Sequence, residues 1–285
     1  MKIGISGDSL CYLPTVDEKF ALIKELGYDA FDYDLSNTNQ PHYKDDSLME
    51  EYCQEVRAAA EKYDIEIFQI HGPWPTDDTT EESRKEVWEY MHRAVYACHL
   101  LNSKYVVIHP QMPFGWDLEP DADYAEELTL ALIRDLLPDC EKYGVTVCLE
   151  NMPFRNQRIS PMKNIVAAVE KLNSPFVGVC FDTGHCNFLY DDIVENIRIA
   201  KPYLKVLHVH DNKTDADSHD IPFFGSIDWR VFSKALAQSG YDGVLSFETI
   251  GLRYGTGSEA LVSTYNKLAV EVAKELARMI EEERH

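Results

Sequence analysis

No stretch of the 285 residues approaches the ~18 consecutive apolar residues of a membrane span, and the amino terminus, MKIGISGDSL, lacks the long apolar segment of a signal peptide. A soluble cytoplasmic protein with no membrane partner is the expectation. The cysteines, Cys11, Cys53, Cys98, Cys140, Cys148, Cys180 and Cys186, form no CxxC pair and no short framework spacing. That suits a reducing compartment rather than a disulfide scaffold. GxGxxG and GxxxxGK[ST] are both absent, so nothing favours an open, doubly wound nucleotide-binding sheet. Positive charge is scarce: 27 Lys and Arg stand against 49 Asp and Glu, for a formal charge of −22. Binders of nucleic acid or anionic membranes place Lys and Arg against phosphates, which this balance opposes. No linker or composition break is visible, so one domain over residues 1–285 is expected.

The chain is 45% hydrophobic and 11% aromatic, enough to bury a substantial core and to exclude disorder. Short β-rich runs alternate with longer amphipathic stretches throughout. The strand candidates are KIGISG, DAFDYD, IEIFQIH, YVVIHP, VTVCLEN, FVGVCFD, LKVLHVHD and GVLSFET. Several are continuously apolar, as in strands covered on both faces. Between them, Phe20, Leu22, Ile23 and Leu26, and later Leu128, Leu132, Ile133 and Leu136, recur at helical spacing. Gly27 and Gly144 stand where helices should end, and Asp228 where one should start. Eight such units predict an α/β fold, a (β/α)8 TIM barrel.

Polar residues collect at the carboxyl ends of strands three to eight: His71, His109, Glu150, Asp182, His208 and Glu248. Barrel enzymes carry their active sites there. Residues two apart share a strand face, which puts Val107, Cys148, Cys180 and Ser246 beneath four of these side chains. Three carboxylates converging on one mouth would repel one another unless a cation joined them. Glu150, Asp182, His208 and Glu248 therefore form a candidate ligand set. Its mixed oxygen and imidazole donors suit Mn²⁺, Mg²⁺, Co²⁺ or Zn²⁺. His185 and the pair Asp217 and His219, with His71 and His109, could contact substrate or extend the site from one metal to as many as three. His210 shares parity with His208. Trp74, Trp116 and Phe114 follow strand ends and could either wall a ligand or pack as loops. Cys98 and His99 read as core and surface positions of the third helix.

The segments HGPWP, VVIHP, CLENMP, FDTGH, LHVHDN, DSH and SFET, at His71, His109, Glu150, Asp182, His208, Asp217 and Glu248, resemble the xylose-isomerase-like barrel superfamily. That group includes sugar and sugar-phosphate isomerases and epimerases, and endonuclease IV-type apurinic endonucleases. The resemblance implies a metal held by Glu150, Asp182, His208 and Glu248, the two glutamates doubling as acid and base. The nuclease branch would add His71, His109, His185, Asp217 and His219. After DSH the family's Gly-Glu-Gly turn is replaced by IPFFGS, with Gly225 retained and the acid missing.

Charge separates the branches. The loops after strands three, four and seven carry fourteen acids, Asp77, Asp78, Asp117 and Asp211 among them, against Lys213 alone. Such a rim repels duplex DNA. The expectation is a metal-dependent isomerase or epimerase of a small sugar, sugar phosphate or polyol in carbohydrate metabolism, acting through a metal-stabilised enediolate. Trp74 would cover the sugar, His210 would contact it, and Arg155, Arg158 or Arg253 would hold a phosphate. The alternative is a multinuclear zinc metallohydrolase. Related barrels often pair, so a homo-oligomer is an open expectation.

Overall fold

A computed structural model describes residues 1–75, 79–116, 118–250 and 258–284. Eight parallel strands make up one sheet: β1 (Ile3–Ser6), β2 (Ala30–Asp34), β3 (Glu66–His71), β4 (Tyr105–Ile108), β5 (Thr146–Glu150), β6 (Val177–Asp182), β7 (Leu204–His208) and β8 (Leu245–Phe247). Their spatial order is β7-β6-β5-β4-β3-β2-β1-β8. The ends meet where Val209 N donates to Ser246 O at 2.8 Å and Glu248 N donates to Val209 O at 3.1 Å. The ring is thereby closed, as a (β/α)8 barrel requires.

Helices α1 (Val16–Leu26), α2 (Asp46–Tyr63), α3 (Glu81–Leu100), α4 (Ala122–Tyr143), α5 (Met162–Leu172), α6 (Thr183–Phe188), α7 (Ile193–Ala200), α8 (Trp229–Ser239) and α9 (Glu259–Glu282) connect and cover the strands. Their boundaries follow local chemistry. Thr15 and Glu18 form a capping box at the start of α1, Asp228 accepts from Arg230 N and Val231 N at the start of α8, and Gly27 and Gly144 close α1 and α4 in the left-handed region. Phe20, Ile23 and Leu26 of α1 and Leu132, Ile133 and Leu136 of α4 are buried between helices and barrel. Cys98 is buried and His99 exposed. Among the described residues, no helix is long and apolar enough to cross a membrane.

One element departs from the sequence expectation. Where eight strand–helix units are expected, the segment after β6 opens an extra short helix, α6, because the Asp182 carboxylate caps it by accepting from His185 N at 2.6 Å. Gly184 is required there: a Cβ would lie 2.0 Å from Cε1 of His210. The strand expectations end where β2, β3 and β6 end and run one to three residues beyond β1, β4, β5, β7 and β8.

Inside the barrel, one pleat below the mouth, Val107, Cys148, Cys180 and Val206 pack as a separate apolar cluster with Phe68 and Tyr105. The same level on β2, β3 and β8 is polar. Asp32 of β2, Gln69 of β3 and Ser246 of β8 are all buried.

Candidate metal centre

Strand parity delivers the ligand candidates to one place. His71, Glu150, Asp182 and His208 are the last residues of β3, β5, β6 and β7, while His109 and Glu248 follow β4 and β8 by one residue. Glu150, Asp182, His208 and Glu248 each offer a donor atom within 4.8 Å of the others, and all four are buried. Two flanking groups adjoin this set: His71 and His109 with Glu150, and His185, His210, Asp217 and His219 on the opposite side. Glu150 belongs to both the central and the first flanking group.

Hydrogen bonds orient these rings for a cation. His71 Nδ1 lies 2.8 Å from Gly72 O, His185 Nδ1 2.7 Å from Asn151 O, and His219 Nδ1 3.0 Å from Glu248 O. A carbonyl only accepts, so each Nδ1 carries the hydrogen and each Nε2 faces the carboxylates. Nε2 of both His185 and His219 stands 3.2 Å from Asp217 Oδ2. His109 Nδ1 and Asp217 Oδ1 are buried without a hydrogen-bond partner among the described residues. No Lys or Arg lines the cavity among the described residues. Convergent carboxylates, imidazoles with fixed tautomers and no competing side-chain cation fit a divalent metal.

Protonation completes the electrostatic account. Burial opposes charge on His208, but Cys180, Glu150, Glu248 and a bond to Asp32 more than offset it and hold the imidazole well above its usual range. His185 is raised in the same way by Asp182 and Asp217, and His219, buried but paired with Asp217, is pushed up to about 9. Burial instead lowers His109 to about 4, keeping it neutral as it donates to Glu150 Oε2 at 3.0 Å. Glu150 is held well below the carboxylate range: its burial is overcome by His208 and His109. Glu248 is raised, chiefly by burial, with Glu150 and Asp182 adding to it. In the metal-free protein at pH 7, His208, His185 and His219 therefore carry protons that a metal must displace. Loading is expected to release at least one proton per ion, and affinity to rise with pH. Titration calorimetry in two buffers of different ionisation enthalpy checks this, and a binding enthalpy independent of buffer would refute it.

The cavity, about 670 Å³, has two kinds of wall. Trp74, Trp116 and Phe154 form an aromatic side, Trp74 stacking on Trp116 at 5.7 Å and meeting the His109 ring edge-on at 4.3 Å. Ser6 and Asp34, the last residues of β1 and β2, and Asp8 and Ser36, just after them, form a polar side. Phe114 is absent from both and packs on Tyr124.

Several sequence expectations are corrected. His210 does not reach the cavity. It is fully buried, its Nε2 lies 2.9 Å from Asp182 Oδ2, and the His219 ring stacks on it at 3.8 Å. Arg155 is not a substrate clamp: Nη2 donates to Phe188 O and Thr214 O, and the guanidinium lies over the Phe188 ring. Arg158 is occupied by Asp123 and Glu126. Arg253, Asp77, Asp78 and Asp117 lie outside the described residues. The acidic rim is also weaker than a residue count suggests. Arg158 and Lys171 pair with its acids, Asp121 caps α4, and Asp211 is buried, accepting from Phe223 N, Ser226 N, Ile227 N and Trp229 Nε1. Asp211 thus anchors the loop that carries Asp217 and His219. Asp32 was missed. Its signal is an acid in the middle of β2, sharing parity with the mouth-facing Asp34.

Three comparisons place the chain. Residues 20–281 match the family model described as xylose isomerase-like TIM barrel. An uncharacterized protein of Methanocaldococcus jannaschii is 28% identical over 99% of this chain and 94% of its own length. The D-psicose 3-epimerase of Ruminiclostridium cellulolyticum is 26% identical over 82% of this chain and 78% of its own. Among solved structures, a D-tagatose 3-epimerase-like protein superposes with a TM-score of 0.79 at 24% identity, each chain covered in full. With the matched region spanning nearly the whole closed barrel, the chain belongs to the xylose isomerase-like TIM barrel family.

Proposed function

We propose that this protein is a divalent-metal-dependent epimerase or isomerase of an uncharged sugar or related polyol. The observation that carries the reading is that Glu150 and Glu248, inside one buried four-donor group, also line the open cavity. The similarity to a D-psicose 3-epimerase supports the same class. A bound divalent ion supplies Lewis-acid polarisation of a substrate carbonyl, which lowers the barrier to removing the proton on the adjacent carbon. Glu150, held ionised, is suited to take that proton, and Glu248, with its raised affinity for a proton, to return one on the other face. Trp74 and Trp116 present ring faces to the apolar C–H surface of a sugar, while Ser6, Asp8, Asp34 and Ser36 meet its hydroxyls. With Arg155 and Arg158 committed elsewhere, nothing among the described lining residues answers a phosphate. His185, on the cavity wall, is placed to orient a hydroxyl.

The test is exchange in D2O. Holoprotein incubated with a panel of ketoses is expected to incorporate deuterium at the carbon beside the carbonyl, read by NMR or mass spectrometry. Failure to exchange with any member, by protein of verified metal content, would sink the reading.

A second reading is favoured by one specific observation: two further donor groups flank the central one, one of them sharing Glu150 with it, and backbone carbonyls orient His71 in the first and His185 and His219 in the second. That arrangement suits a multinuclear metallohydrolase of phosphoesters. Metal content by elemental emission, near three ions per chain with cleavage of an abasic-site oligonucleotide, would favour it. One ion per chain with ketose exchange favours the first.

A further inference from the structure

We infer that Asp32, in the middle of β2, is a positioning residue of the metal centre that fixes the ring orientation and tautomer of His208. The inference rests on the metal-centre reading and is independent of which sugar is bound. Asp32 is 2% exposed and its Oδ2 lies 2.9 Å from His208 Nε2. Gln69 Nε2 donates to the same oxygen at 2.9 Å and to Leu207 O, the backbone next to His208, at 3.3 Å. Ser246 Oγ is 3.5 Å away. Side chains of β2, β3 and β8 thus brace a ring projecting from β7 across the barrel interior.

Chemistry follows from the acceptor-only character of an ionised carboxylate. The nitrogen facing Asp32 must carry a hydrogen. In a neutral, metal-binding imidazole, Nδ1 is then left with its lone pair, and Nδ1 is the atom that faces Glu150 Oε1 at 2.9 Å and Glu248 Oε2 at 3.5 Å. Without Asp32, the opposite tautomer would donate from Nδ1 to Glu150 and close that coordination position.

A filling role does not account for the residue. On β4 to β7, the same level of the barrel is occupied by Val107, Cys148, Cys180 and Val206, which pack without charge. A buried carboxylate costs free energy that such residues avoid, and Oδ1 of Asp32 has no hydrogen-bond partner among the described residues. Nor does Asp32 line the cavity, so it does not touch substrate.

The experiment is zinc affinity of wild type and Asp32→Asn, measured by competition with a chromophoric chelator, with the thermal midpoint of each metal-free protein measured separately. Asn preserves size but removes the charge, so a loss of about 10–100-fold in affinity is expected. An affinity equal to wild type, whatever happens to the midpoint, overturns the inference. A second measurement needs no variant. In zinc-loaded wild type with 15N-labelled histidine, His208 is expected to show a protonated Nε2 and a metal-shifted Nδ1, and a protonated Nδ1 overturns it. Wild type that binds no zinc overturns the metal-centre reading itself, and this inference with it.

Discussion

Replacing Glu150 with Gln is expected to lower deuterium exchange into substrate by about 10²–10⁴-fold, the range that a positioned acid or base contributes, and to strip metal from the protein as well. Glu150 is the one carboxylate shared by the central donor group and the His71–His109 group. Its Oε1 meets His208 Nδ1 at 2.9 Å and its Oε2 meets His109 Nε2 at 3.0 Å. Gln keeps the shape but turns one of those acceptors into a donor aimed at a neighbouring nitrogen, and it has no basic lone pair for the substrate proton. In metal-free protein it also leaves the His208 imidazolium with fewer counter-charges. Breaking such a buried pair costs about 3–5 kcal/mol, so a lower denaturation midpoint should accompany the loss. Glu150→Gln that retains wild-type exchange would remove Glu150 from the chemistry.

Metal removal is the second large effect. A chelated, dialysed sample should lose exchange activity completely yet keep its far-UV dichroism, because the barrel is held by its core and ladder and the centre has an internal substitute for the ion. His208, His185 and His219 become imidazolium and pair with Glu150, Asp182, Asp217 and Glu248. At a free metal concentration of 100 Kd, the ion adds about 2.7 kcal/mol. At roughly 2–4 °C per kcal/mol for a chain of this size, the melting temperature should fall by about 5–10 °C on chelation. The sign of the pH dependence differs between the two forms. A histidine whose folded pKa is raised stabilises the fold fully below its unfolded value of about 6.5, and this is lost as pH rises through the folded value, about 9 for His219. Metal-free protein should therefore destabilise across that window while loaded protein does not. A metal-free midpoint that is flat from pH 6.5 to 9 would show that the imidazolium pairs contribute nothing.

The sequence by itself determined the barrel and the cast of the centre. Alternating β-rich and 3.6-periodic runs, with caps such as Asp228 and Gly144, leave few folds open, and the period of two along each strand carries Glu150, Asp182 and His208 to the same end. Tertiary structure alone decided how those residues are used. His210 has the parity of a substrate contact but lies sealed against Asp182 and His219, because α6 brings Gly184 against its ring. Arg155 looks like a free cation until the carbonyls of Phe188 and Thr214 claim it. Asp211 and Asp217 contribute equally to a charge count, yet one is buried under five donors and the other faces the site. Asp32 becomes meaningful only when β7 places His208 against it, 176 residues away in the chain. Periodicity reports which way a side chain points from its own strand. Whether it meets water, a partner or an ion depends on what distant segments bring to the same few ångströms.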